Sequence, residues 1–284
     1  MDSSFPIHPT DGPVTDNHWA LLRRYTDARI GLGRAGVSVP TKHLLEFQLA
    51  HAKAQDAVHK PLDTDALAER LQARPWFHSC GGLLNLHSRV RDRTQYLQRP
   101  DYGRLLDEAS SQILNSIRNE NIGCWDLAIA IVDGLSALAI ETNTLPFLDN
   151  LIPELVNGSS PWTIAPLCIV EQGRVAIGDN IGEQLHARCV LVLIGERPGL
   201  SSPDSMGLYL TWAPKSGTTD ANRNCISNIR PAGLGYLEAC HRAVYLLNEA
   251  RRRKISGVQL KDRTNNEAVT LGNDDHSFLT ETET

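Results

Sequence analysis

Leu127-Ala-Ile-Ala-Ile-Val132, closed by Asp133-Gly134, and Cys189-Val-Leu-Val-Leu-Ile194, closed by Gly195-Glu196-Arg197-Pro198-Gly199, are the two stretches that decide the fold. Each is a short, unbroken apolar run bounded by turn-forming residues. A strand buried on both faces has this pattern, because neither of its faces meets water. A helical stretch comes after the first run. A third run, Ala165 to Val170, ends at Gln172-Gly173; Leu208 to Trp212 is a further strand candidate, and Gly235 to Arg253 is helical again. Apolar strands alternating with helices predict an α/β fold, here a Rossmann-like domain with a mainly parallel sheet over residues 123–262. Ligands of such sheets gather beyond the carboxyl ends of the strands. That rule singles out Asp133-Gly134 and the segment Gly195 to Gly199.

Working outward, residues 19–122 read as a helical N-terminal region. Leu44, Leu45, Gln48, Leu49 and Ala52 recur at three- and four-residue steps and share one helix face. Pro40-Thr41 suits the start of that helix, the Thr41 hydroxyl being able to cap free amides. Asp63 or Thr64 suits the next start, with Ala66, Leu67, Ala68 and Leu71 as its apolar positions, and Leu105 to Ile117 reads as another helix. Residues 1–18 hold six Asp and Pro residues, no Lys or Arg and no apolar stretch, so they read as a flexible terminus without a secretory signal. Residues 263–284 form a polar tail without apolar periodicity, also expected to be flexible.

Composition excludes several classes. Net charge is −5, and no basic block is longer than Arg251 to Lys254, so nucleic acid is not an expected partner. No apolar run approaches the roughly 20 residues that span a bilayer, so no membrane partner is expected either. The six cysteines form no C-x-x-C pair, and the ten histidines show no metal-ligand spacing. Neither a metal site held by this chain nor a disulfide framework is expected.

Gly31-Leu-Gly-Arg-Ala-Gly36 has the G-x-G-x-x-G spacing of dinucleotide sites. That motif works only between a buried strand and a helix. Here Trp19 to Ile30 reads as an amphipathic helix, and Pro40 interrupts the segment on the other side of the glycines, so a tight loop with Gly33 or Gly36 at positive φ is expected instead. Asp133-Gly-Leu-Ser136 lacks the second glycine of a nucleophile elbow. It reads as a buried turn whose carboxylate caps a helix.

Seven segments, in order, carry a resemblance. They are Thr26 to Gly36, Tyr96-Leu-Gln-Arg-Pro-Asp101, Val132-Asp-Gly-Leu-Ser136, Gly173-Arg-Val-Ala-Ile177, Gly195-Glu-Arg-Pro-Gly-Leu200, Asn224-Cys-Ile-Ser-Asn-Ile229 and Ser256-Gly-Val258. Together they resemble the small subunit of ethanolamine ammonia-lyase. The resemblance implies a hetero-oligomer with a large (β/α)8-barrel subunit, and adenosylcobalamin held between the two. It implies radical conversion of ethanolamine to acetaldehyde and ammonia, with the catalytic residues on the large subunit and none on this chain. By motif, the cofactor contacts fall on Val175, Glu196 and Cys225. Glu196 would accept hydrogen bonds from corrin amides; Val175 and Cys225 would give packing or backbone contacts, without thiol chemistry. Val175 is expected in a turn after a strand, Glu196 just after the Cys189 to Ile194 strand, and Cys225 in a loop. No D-x-H-x-x-G motif is present, so no histidine from this chain is expected on cobalt. The resemblance places the chain in a bacterial microcompartment or the cytoplasm; the matching region begins about 19 residues from Met1, without the longer extension some members use for packaging. The rival readings are a self-sufficient nucleotide-dependent oxidoreductase and an assembly subunit that touches no cofactor.

Overall fold

The computed structural model describes residues 17–26, 28–120 and 124–264. The flexible N-terminus and the polar tail expected from the sequence lie outside these residues but for a few positions, as does the boundary placed between residues 122 and 123. The chain first makes a short 3-10 helix, His18–Arg24, where a longer helix through Ile30 was expected. The glycine loop is next, with Gly31, Gly33 and Gly36 all at positive φ. Then come helices α1 (Thr41–His59) and α2 (Thr64–Gln72), strand β1 (Leu83–His87), and helices α3 (Arg93–Gln98) and α4 (Glu108–Glu120). Strand β2 (Leu127–Val132), helix α5 (Ala137–Asn157), strand β3 (Leu167–Glu171) and helix α6 (Ile177–Gln184) alternate after them. Strands β4 (Cys189–Gly195), β5 (Met206–Trp212) and β6 (Arg223–Ile229) and helix α7 (Tyr236–Arg253) complete the order.

The six strands form one sheet in the order β1-β3-β2-β4-β5-β6. β1, β3, β2 and β4 are mutually parallel; β5 pairs antiparallel with β4, and β6 pairs antiparallel with β5. The fold is mixed α/β with a mostly parallel sheet. β1 corrects the reading of residues 19–122 as helical: Leu83–His87 pairs with β3 along its whole length.

The unbroken apolar runs reflect two-sided burial. Leu127, Ile129 and Ile131 enter one core layer, and Ala128, Ala130 and Val132 enter the other. Helices α5 and α7 cover the first face, which takes the larger side chains; α4 and α6 cover the second. Close approach explains small residues on α6: a Cβ at Gly178 would lie 2.2 Å from Val192 Cγ2. Asp63 caps α2 by accepting from Ala66 N at 3.0 Å, as expected. Thr41 does not cap α1; it is the helix's first residue, after Pro40, and no side chain caps that end. Among the described residues no helix is long and apolar enough to cross a membrane.

Candidate functional site

The chain reverses direction across the sheet at β2. From β2 it crosses through α5 to β3 on one side; from β3 it crosses back through α6 to β4 on the other. The carboxyl ends of β2 and β4 therefore flank the switch point at which open α/β sheets bind ligands. The two turns pack without side chains between them. A Cβ on Gly134 would lie 2.3 Å from Gly195 O, and one on Gly195 would lie 2.1 Å from Ser136 O.

Asp133 organises this end. It does not cap α5, contrary to the sequence expectation: Ser136 is the cap, accepting from Ala139 N at 3.2 Å. Asp133 Oδ1 instead accepts from Gly134 N at 2.7 Å and Gly173 N at 3.2 Å, and its Oδ2 lies 3.6 Å from Arg93 Nη1. Burial pushes this carboxyl up to about 6, against the opposing pull of the backbone amides and the Arg93 charge. Tyr96 lies between Arg93 and Arg174, whose guanidinium carbons sit 4.5 and 3.9 Å from its ring centre. Its hydroxyl donates to Gly173 O at 3.1 Å. This scaffold holds the turn Gly173 to Ala176 that carries Val175 into α6.

Glu196 comes directly after β4, as expected. Its backbone N–H donates to Ser205 O at 2.9 Å, and its Oε2 accepts from Ser205 Oγ at 2.5 Å and Asn228 N at 3.2 Å. The side chain lies over Gly207, where a Cβ would come within 2.8 Å of Oε1. Cys225 is not in a loop. It is a β6 residue paired with Tyr209 of β5, and Tyr209 pairs with Val192 of β4. A loop was expected because Asn224-Cys-Ile-Ser-Asn228 is polar; it is polar because β6 buries only one face.

Strand alternation puts Glu196, Gly207, Tyr209 and Cys225 on the same face of the sheet. On that face α6 packs over β2 and β4, while the helix packed on β5 and β6, α7, is on the opposite side. Cys225 is accordingly exposed, and Tyr209 and Glu196 are half-buried. The Cys225 and Tyr209 side chains interact directly. Both are pushed to higher pKa, first by desolvation, with the Glu196 charge adding to it. Val175 and Tyr209 both line an open cleft of about 680 Å³ between the α6 turn and the loop after β5. The three residues singled out in the sequence thus border one continuous surface, Val175 through the cleft and Glu196 and Cys225 on the sheet. Tyr209 and Gly207 were missed; alternation along β5 puts the two on one face, but only the register with β4 places that face with Glu196. Among the described residues no group of three His, Cys, Asp or Glu side chains is arranged to hold a metal ion.

The family model described as ethanolamine ammonia-lyase light chain (EutC) matches residues 16–261. Similar proteins named ethanolamine ammonia-lyase small subunit occur in several bacteria. The chain is 54% identical over 253 residues to that of Ralstonia nicotianae, covering 89% of this chain and 91% of the relative. It is 55% identical over 250 residues to that of Azotobacter vinelandii, covering 88% and 90%. With that of Pseudomonas fluorescens it shares 51% identity over 271 residues, 95% of each chain.

Proposed function

The chain belongs to the ethanolamine ammonia-lyase light-chain family, and we propose that its uncovered sheet face, beside the switch point, is a wall of an adenosylcobalamin site completed by the large subunit. In this reading the sheet is Rossmann-like, and the complex works in the cytoplasm or a microcompartment.

The residues present fit such a group. A corrin is broad, largely apolar and edged by amides; the face offers breadth, an aromatic ring, a thiol and a single carboxylate. Gly207 leaves Glu196 room to lie flat across β5. Ser205 and Asn228 hold one carboxylate oxygen, so the group is oriented before a ligand arrives and little freedom is lost on binding. Glu196 would accept hydrogen bonds from corrin amides, and Val175, Cys225 and Tyr209 would supply packing contacts. When bound, the cofactor supplies the radical chemistry that converts ethanolamine to acetaldehyde and ammonia, and the protein's part is orientation and exclusion. No residue of this chain is assigned a catalytic role; those are placed on the large subunit.

The observation that carries this reading is the convergence of Glu196 and Cys225 on one open face. The test is equilibrium binding of adenosylcobalamin to the complex with the cognate large subunit. Glu196→Ala is expected to weaken binding by roughly 1–3 kcal/mol, the loss of a charge-assisted hydrogen bond. Unchanged affinity removes Glu196 from the site. Ammonia release from ethanolamine only when both subunits are mixed is the second expected result; equal release without this chain makes it an accessory.

A further inference from the structure

We infer that residues 17–26 and 28–59 form an arm that docks the large subunit, through an apolar face of that subunit bordered by acidic side chains. The inference rests on the small-subunit reading above and assigns the surface that reading leaves open.

Helix α1 has 19 residues, of which only Ala57 is buried. The amphipathic spacing found in the sequence is real, but it faces away from the core: Leu44 is 45% exposed, and Leu45 and Leu49 are each 58% exposed. Ahead of the helix Trp19 is 70% exposed, Tyr25 82% and Val37 103%. Large side chains of this kind each carry on the order of 150–250 Å². At these exposures the six side chains present roughly 600–1,000 Å² of surface, the same scale as the ~800 Å² per partner of a standard stable interface. Monomers rarely leave a contiguous apolar patch above a few hundred Å². Most helical stability in proteins comes from packing of an apolar face, and α1 buries only Ala57.

Charge selects the occupant. Between His18 and Lys42 stand Arg23, Arg24, Arg29, Arg34 and Lys42 against the single acid Asp27, in a chain of net charge −5. A two-fold contact between copies through this arm would set those cations against each other. The relatives are named small subunits, which implies a larger partner, and an acidic border on that partner complements the arm. Continuity with the site points the same way. Arg93 Nε donates to Val58 O at 2.7 Å, fixing the end of α1 to the scaffold around Asp133. Arg29 Nη2 donates to Leu200 O at 3.5 Å, in the loop beyond Glu196. A protein seated on the arm therefore borders the open sheet face.

The test uses the full chain and its cognate large subunit, with association measured by sedimentation at low and high salt. The double variant Leu45→Glu/Leu49→Glu is expected to weaken association by at least about 30-fold, the scale of hot-spot loss, with far-UV circular dichroism unchanged. Trp19→Ser/Tyr25→Ser, which alters no core element, is expected to do the same, and raised salt to weaken the parent pair. Leu237→Glu, an exposed apolar site on α7 outside the arm, is expected to leave association intact. If the parent pair associates and the arm variants associate equally well, the arm is not the docking surface while the small-subunit reading stands. If the parent pair does not associate, both fall. If the variants abolish self-association of the isolated chain but keep the large subunit, the occupant is a second copy and the inference is overturned.

Discussion

Asp133 Oδ1 accepts hydrogen bonds from both Gly134 N, at 2.7 Å, and Gly173 N, at 3.2 Å, so one buried carboxylate joins the turn after β2 to the turn after β3. The first of those turns borders the switch point, and the second presents Val175. Burial disfavours the charged form of this acceptor and raises the carboxyl to about 6.

Stability should depend on pH through this group. An unfolded Asp ionises near 3.9. Between that value and about 6 the folded protein retains a proton that the unfolded chain has released. The contribution of Asp133 to stability is therefore full below about pH 4 and declines as pH rises through about 6. At about 1.4 kcal/mol per unit the change approaches roughly 3 kcal/mol. Asp133→Asn keeps an oxygen for the two amides and cannot ionise. Urea unfolding from pH 4 to 8 is expected to show this variant gaining on the parent as pH rises. A difference independent of pH would show that Asp133 titrates normally.

Arg223 and Asp179 make a buried ion pair of 2.6 Å below the cleft, with side chains 3% and 1% exposed. Arg223 also donates to Thr218 O and Asp220, fixing the loop between β5 and β6. Removing one member of a buried pair leaves an uncompensated charge, so Arg223→Met is expected to cost about 3–5 kcal/mol. Arg223→Met/Asp179→Leu is expected to recover most of that loss. Denaturant midpoints for the two singles and the double form the cycle that checks it; a double variant as unstable as the sum would show no coupling.

The strands that build the switch point were legible because burial on both faces leaves an unambiguous apolar run, and β2 and β4 match their runs to within a residue. β1 was not: Leu83-Leu-Asn-Leu-His87 is five residues long, contains no β-branched residue and is rich in a good helix former, and only pairing with β3 makes it a strand. β6 was hidden by its few apolar positions: Cys225, Ser227 and Asn228 are exposed, and Arg223 is buried through its pair with Asp179. Of the site, Glu196 was readable from its place after a run. The shared face of Gly207, Tyr209 and Cys225 was not, since it depends on antiparallel register between strands. The apolar face of α1 was read correctly, but which surface covers it lay beyond the chain's own pattern.

Gly207 faces the Glu196 side chain across β5. An added Cβ would come to 2.8 Å from Oε1 and 3.1 Å from Cγ, both in a side chain that can move. Gly207→Ala should therefore displace the carboxylate and spare the backbone. Adenosylcobalamin affinity of the complex is expected to fall roughly tenfold, within the range for one disturbed charged hydrogen bond. Stability of the chain is expected to stay within about 1 kcal/mol, since Ala is no worse than Gly in a strand. Large loss of stability with unchanged affinity would mean that Glu196 position does not matter for the ligand.

Cys225 is exposed, yet its thiol is pushed up by desolvation of the sulfur and by the Glu196 charge, with the Tyr209 contact acting in the opposite sense. The thiolate is the reactive form. Cys225 is therefore expected to react with iodoacetamide at pH 8 more slowly than free cysteine. Peptide mass spectrometry separates its labelling from that of the other exposed thiol, Cys124. Because the expected contribution is packing, Cys225→Ser is expected to change adenosylcobalamin affinity by about 1 kcal/mol or less, the scale of one small contact. Its bulk, not its nucleophilicity, is then the relevant property, and Cys225→Trp, which fills the open face, should block binding while leaving β6 paired. Rapid alkylation, or loss of binding in the serine variant, would instead require a chemical role for the sulfur.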